Sequence, residues 1–294
     1  MTSTTERAFR FGVNMMVSGS RSDWVDKCRK AEDLGYDVIG VADHLGMPAP
    51  FPAIVSAAEA TERVRLCPFV LNAGFYNPVL LARDAAGTDQ LVEGRLELGL
   101  GTGYVKAEFD AAGLPFPGPR ERLDHLEHTL AELRRLFADG QPRPAQEPHP
   151  PLLLGGHRDR MLRMAAREAD IVGFTGIGFD RDGTSATVAG PEELAERVEF
   201  VRKEAGERFA DLELNLLIQH AEVTDDRAAT LDAIRAYAPD RTVEELAALP
   251  IVLVGTAEEI AEQLLAQRKA YGISYVTVME AHLDALAPVI PLLR

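Results

Sequence analysis

Eight short runs of aliphatic and β-branched residues alternate along the 294-residue chain with longer segments of helical period. The connections after these runs are longer than those before them, and no composition break divides the chain. Together these features predict an α/β fold: a (β/α)8 TIM barrel over 1–294 as a single domain, with long loops at its C-terminal face. Strand–helix alternation implies parallel strands, because each crossover returns the chain to the same end of the sheet. A doubly wound open sheet is the alternative, and eight near-equal units favour closure.

The first strand is read at 9–16 (FRFGVNMM), followed by a helix in which Trp24, Cys28, Ala31 and Leu34 recur at helical spacing. The second, VIGVADH at 38–44, leads to the apolar helix FPAIVSAAEA. VRLCPFVL (64–71) passes through NAGFYNP to VLLARDAAGTDQLV, and LELGLG (96–101) enters a long loop before RLDHLEHTLAELRRLF. PLLLGG (151–156) runs into DRMLRMAAREA, and IVGFTG (171–176) precedes PEELAERVEFVRKEA. LELNLLIQ (212–219) is followed by two helical stretches around 226–248. TAEEIAEQLLAQRKAYG then feeds YVTVME (275–280), and DALAPVIPLL supplies a proline-interrupted last helix. Thr242 with Glu245 and Thr256 with Glu259 read as capping boxes, and Gly190-Pro191 as a cap before a first-turn proline. Met15, Met16, Met161 and Met164 read as core fillers. His125 and His128, three apart on a charged helix, read as a solvated outer face.

The net charge of −15 argues against nucleic acid or an anionic membrane as partner. MTSTTERAFRF has no apolar h-region, and no uncharged run approaches membrane-spanning length. Cys28 and Cys67 are the only cysteines, which fits a reduced, cytoplasmic protein with both as packing residues. No spacing of metal ligands stands out, and H-E-x-x-H, G-x-S-x-G and Walker A motifs are absent.

Gly99, Gly101 and Gly103 are spaced one apart at the end of the fourth strand and run into a proline-rich loop. A dinucleotide fingerprint needs G-x-G-x-x-G after the first strand, opening a helix, so these glycines are not one. Two readings stay open: room for a flat ring or phosphate against bare backbone, or tight strand–helix packing. Gly155 and Gly156 precede His157 and Arg158 at the start of a helix, where free N–H groups and the dipole favour an anion. VGT at 254–256 is a second candidate of the same kind. Asp43 and His44 end the second strand; His44 is read either as a hydrogen-bonded rim residue or as a proton donor supported by Asp43. The segments 104–119 and 177–190 are read as lids over the mouth.

Taken in order, FRFGV, ADH, FVLNAGFYNPVLLARDAAGTDQLVEGRLELGLGTGY, LLLGGHRDRMLRMAAREADIVGF and VLVGTAEEIAEQLLAQRKAYGISYVTV resemble the luciferase-like monooxygenase superfamily over 9–280. The likeness is greatest to its coenzyme F-420 (deazaflavin)-dependent oxidoreductases. That resemblance implies a flavin or deazaflavin ring at the C-terminal mouth, beside a non-prolyl cis peptide at Phe69-Val70, with Leu71 and Asn72 adjacent. It implies a cofactor chain along Gly101, Thr102 and Gly103, and a phosphate held by Gly155, Gly156 and His157. Sugar-phosphate dehydrogenases of this family place a glutamate after GTG; here Tyr104 stands there, which points to a less polar small-molecule substrate. Only five of the 31 basic residues are lysines, a usage typical of actinobacterial hosts, where deazaflavin is common. FMN, with oxygen and a reductase partner, is the alternative cofactor reading, and a non-catalytic cofactor-binding protein is a third. The family's usual state is a homodimer.

Overall fold

The computed structural model describes residues 7–16, 19–179, 186–238 and 241–294. The strands are β1 (Arg10–Met15), β2 (Val38–Val41), β3 (Arg65–Pro68), β4 (Leu71–Asn72), β5 (Leu98–Gly101), β6 (Leu152–Gly156) and β7 (Ile171–Phe174). They continue with β8 (Ile177–Phe179), β9 (Ala186–Val188), β10 (Glu213–Ile218), β11 (His220–Val223), β12 (Val252–Gly255) and β13 (Ile273–Met279). One parallel sheet runs β3-β2-β1-β13-β10-β7-β6-β5-β4. β3 and β4 form one barrel strand, broken at the cis peptide Phe69-Val70. β3 pairs with β2, and its Leu66 bridges Leu96 just ahead of β5. The sheet therefore meets itself as an eight-stranded (β/α)8 barrel, and the open-sheet alternative falls away.

The helices are α1 (Arg21–Asp33), α2 (Pro50–Ala60), α3 (Pro78–Leu91), α4 (Lys106–Ala111), α5 (Pro119–Ala138) and α6 (Asp159–Glu168). They continue with α7 (Pro191–Ala205), α8 (Arg227–Ile234), α9 (Val243–Ala247), α10 (Ala257–Tyr271) and α11 (Leu283–Leu286). Capping boxes start α1, α9 and α10, and Pro191 follows the Gly190 cap of α7. Among the described residues, no helix is long and apolar enough to cross a membrane.

Alternation along the strands divides the interior into two cores. Phe11, Val13 and Met15 join the large core between sheet and helices. Val38, Cys67, Leu153, Ile171 and Tyr275 form a separate cluster inside the barrel, with Phe69 and Val70 packed on it. At its N-terminal end Arg10 bridges Glu97 and Glu213, and its guanidinium lies 4.7 Å from the Tyr275 ring centroid. Arg65 Nε donates to Glu97 at 2.7 Å.

Several expectations are corrected. Met16 is 40% exposed beyond the end of β1, whereas Met15, Met161 and Met164 are buried. His125 does not belong to a solvated face: its Nε2 lies 3.0 Å from the Ala73 carbonyl, tying α5 to the strand-three loop. Residues 252–255, which the strand–helix reading does not include, form β12, paired in parallel with β11 outside the barrel. The 177–190 segment carries the antiparallel hairpin β8–β9; residues 180–185 of that expected lid lie outside the described residues.

Candidate active site

His44 lies at the barrel's C-terminal rim, just past β2, and its Nδ1 is 2.8 Å from Glu108 Oε1. Glu108 is presented by α4, which Phe109 anchors with its ring 5.0 Å from those of Phe75 and Phe116. Asp43 is not the partner of His44. Its Oδ2 accepts a hydrogen bond from the Asn72 backbone N–H at 2.9 Å, fastening strand two to the restart of strand three. The expected support of His44 by Asp43 is therefore not a hydrogen bond; the two interact through charge alone. Burial pushes the Asp43 carboxyl above its usual range, and the Asn72 N–H opposes that rise. Glu108 was invisible in the sequence as a partner because 64 residues separate it from His44. Tyr104, on the same loop, is 55% exposed; burial, then Glu108, pushes its phenol up.

The glycine run makes room, and most of that room belongs to the protein itself. A Cβ at Gly99 would lie 2.2 Å from the Pro68 carbonyl oxygen, and one at Gly101 would lie 2.8 Å from Val70 Cγ2. At Gly103, with φ +69°, the added carbon would meet Asn72 Oδ1 at 2.2 Å. The packing reading accounts for all three, since the place of each missing Cβ is taken by Pro68, Val70 or Asn72. Gly99→Ala is expected to destabilise the fold by about 1–3 kcal/mol, because the obstacle is main chain. Thermal melting checks this; an unchanged midpoint would contradict the tight approach. Thr102 is half-buried between these glycines, Phe69 and Val70 are half-buried at the mouth, and Leu71 is wholly buried in the outer core. The Leu71 side chain thus packs away from the barrel interior. Asn72 holds its loop through Oδ1, which accepts from Gly74 N at 3.1 Å.

Across the mouth, a cavity of about 490 Å³ opens at the start of α6, lined by His157, Arg158, Asp159, Arg160 and Arg197 and covered by Gly178 and Thr187 of the hairpin. Arg158 is the N-cap, so His157 precedes the helix instead of joining its first turn. Carboxylates already touch this basic group: Glu193 is 3.1 Å from His157 Nε2, Asp159 pairs with Arg197, and Asp124 with Arg160. Gly155 is open on the barrel side, the nearest atom to an added Cβ being the Gly173 oxygen at 3.9 Å. Gly156 is filled from behind by Met161 Cγ at 2.3 Å. The second anion candidate already carries a carboxylate. The Thr256 N–H at the start of α10 donates to Glu259 Oε2 at 2.9 Å, so the chain's own carboxylate occupies that helix end.

A further rim feature escaped the sequence reading. His220 after β10 and His282 after β13 meet edge-to-face at 4.8 Å, and His282 Nε2 donates to the Gln219 carbonyl at 3.2 Å. Burial, then His282, pushes the His220 imidazole below its ordinary value. Among the described residues, no group of three or more His, Cys, Asp or Glu is placed to hold a metal ion.

The model of the family described as "Luciferase-like monooxygenase" matches residues 8–239. An F420-dependent glucose-6-phosphate dehydrogenase of Intrasporangium calvum is 36% identical over 126 residues, 39% of this chain and 38% of that protein. Its counterpart in Kribbella flavida is 30% identical over 234 residues, 74% of this chain and 70% of that protein. The matched part thus spans well under two thirds of the first relative and somewhat more of the second. The solved structure of an F420-dependent secondary alcohol dehydrogenase in complex with an F420-acetone adduct superposes with a TM-score of 0.76 at 18% identity. That superposition covers 98% of this chain and 100% of the other, and it shows the shared fold. With the family model covering most of the barrel and its geometry reproduced in the fold, this chain belongs to the luciferase-like monooxygenase family.

Proposed function

We propose that this chain is a coenzyme F-420 (deazaflavin)-dependent oxidoreductase that transfers hydride to or from a small organic substrate at the barrel mouth. The observation that carries the reading is the His44–Glu108 pair, a proton-handling group on the rim facing the C-terminal opening. The donor set at α6 fits the anionic end of such a cofactor. His157 and Arg158 with the helix N-terminus supply cationic and N–H groups, and bare Gly155 leaves space for approach. When bound, deazaflavin supplies a hydride-carrying ring carbon and reacts poorly with oxygen.

Glu108 orients the His44 ring through Nδ1, leaving Nε2 to give or take the substrate proton. Asp43 holds the strand ends in place through Asn72 and acts on His44 through its charge. Phe69 and Val70 provide the apolar surface on which a flat ring rests. Tyr104 lies over the mouth and selects against strongly polar substrates. The chain acts as a cytoplasmic homodimer in this reading. A second reading, favoured by the family's own description, is a two-component monooxygenase using FMN and a partner reductase.

Titration of the purified protein with oxidised coenzyme F-420 and with FMN, followed by ring fluorescence, separates the two. Tighter binding of F-420 is expected. Preference for FMN, with oxygen consumed when reduced FMN is supplied, would establish the second reading. Saturation by neither would overturn both.

A further inference from the structure

Asn14 is the next-to-last residue of β1, and Arg10, Gly12 and Asn14 alternate on the barrel side of that strand. It is 7% exposed, and its Oδ1 meets no hydrogen-bond donor. A Cβ on neighbouring Gly40 would lie 3.3 Å from that Oδ1 and 3.0 Å from Phe69 Cβ. The carboxamide, a bare glycine and the first residue of the Phe69-Val70 pair are therefore packed against one another at the C-terminal end of β1 and β2. A buried acceptor without a donor is costly, and a donor arriving with a ligand removes that cost. Asn215 shares an unpartnered Oδ1 but is wholly buried in the barrel wall, and its Nδ2 is spent on Thr277 Oγ1 at 2.8 Å and the Tyr275 carbonyl at 3.2 Å.

We infer that Asn14 is a positioning and specificity-determining residue whose carboxamide hydrogen-bonds the cyclic imide edge, –CO–NH–CO–, of the planar ring resting on Phe69 and Val70. The inference rests on the proposed function, since that imide is the polar edge common to deazaflavin and flavin. It assigns the pyrimidine end of the ring to the β1–β2 side of the mouth. The opposite end then faces the α6 cavity side.

The test compares wild type, Asn14→Leu and Asn14→Ala, each titrated with oxidised coenzyme F-420 and with an analogue methylated at the imide nitrogen, and each melted without cofactor. Wild type is expected to bind the parent coenzyme about 3–10-fold more tightly than either variant does. The methylated analogue should bind wild type and variants alike. Without cofactor, Asn14→Leu should melt at or above the wild-type midpoint, because an unsatisfied buried polar group has been removed. Parent affinity unchanged in both variants would overturn the inference while leaving the cofactor reading intact. Weaker binding together with a lowered midpoint in both variants would make Asn14 merely structural and also overturn it. Failure of wild type to bind any ring would overturn the cofactor reading and this inference together. If Asn14→Leu does not fold, the Asn14→Ala and methylated-analogue arms decide alone.

Discussion

Replacing His44 with alanine is expected to lower turnover by about 10²–10⁴-fold while leaving cofactor affinity nearly unchanged. An imidazole can both give and take a proton, and Glu108 holds this one from one side. Removing it deletes the proton path without touching Phe69, Val70 or the α6 cavity. Glu108→Gln should lower kcat by a smaller factor, since the amide can still hydrogen-bond Nδ1 but no longer balances the imidazolium. Steady-state kinetics alongside cofactor titration checks both variants. Equal losses of turnover and cofactor affinity in His44→Ala would place His44 in the binding surface and sink its proton role.

The second large effect is expected in the barrel's closed end. Arg10→Met should destabilise the fold by about 3–5 kcal/mol near neutral pH, the usual cost of stranding a buried charge. Arg10 is the shared partner of Glu97 and Glu213, and Glu97 is buried with its Oε2 already lacking a donor. Burial raises the Glu213 carboxyl above its ordinary value, and Arg10 opposes that rise. A carboxyl raised in the folded state binds its proton more tightly there than in the unfolded chain. Its contribution is therefore fully present below about pH 4.3, the ordinary glutamate value, and is lost as pH rises through the higher folded value. Without Arg10 that folded value climbs further, so the deficit of Arg10→Met should be largest near neutrality and shrink on acidification. Denaturant melts of both proteins across that range measure it; a pH-independent deficit would mean the guanidinium acts through packing alone.

The strand and helix order, the parallel sense and the capping of α7, α9 and α10 were all legible, because they rest on periods and spacings of a few residues. The cis peptide at Phe69-Val70 was expected only through family resemblance, and the structure has it there. The short pairs β8–β9 and β11–β12 were missed because they lie in connections outside the repeating strand–helix pattern. The spacing of the glycine run alone sets it apart from a dinucleotide fingerprint, yet the choice between ligand room and packing needed the positions of Pro68, Val70 and Asn72.

What the sequence by itself determined is the barrel and the family. Hydrophobic periodicity is written in neighbours two to four positions apart, and eight repeats of it leave few ways to bury the apolar faces. What only the tertiary structure decided is who touches whom at the mouth. Glu108 instead of Asp43 holds His44, Asn72 fills the hollow at Gly103, and Asn14 is left with an unanswered acceptor. These contacts join residues that come together only when the sheet closes on itself, and no local rule carries information across that distance.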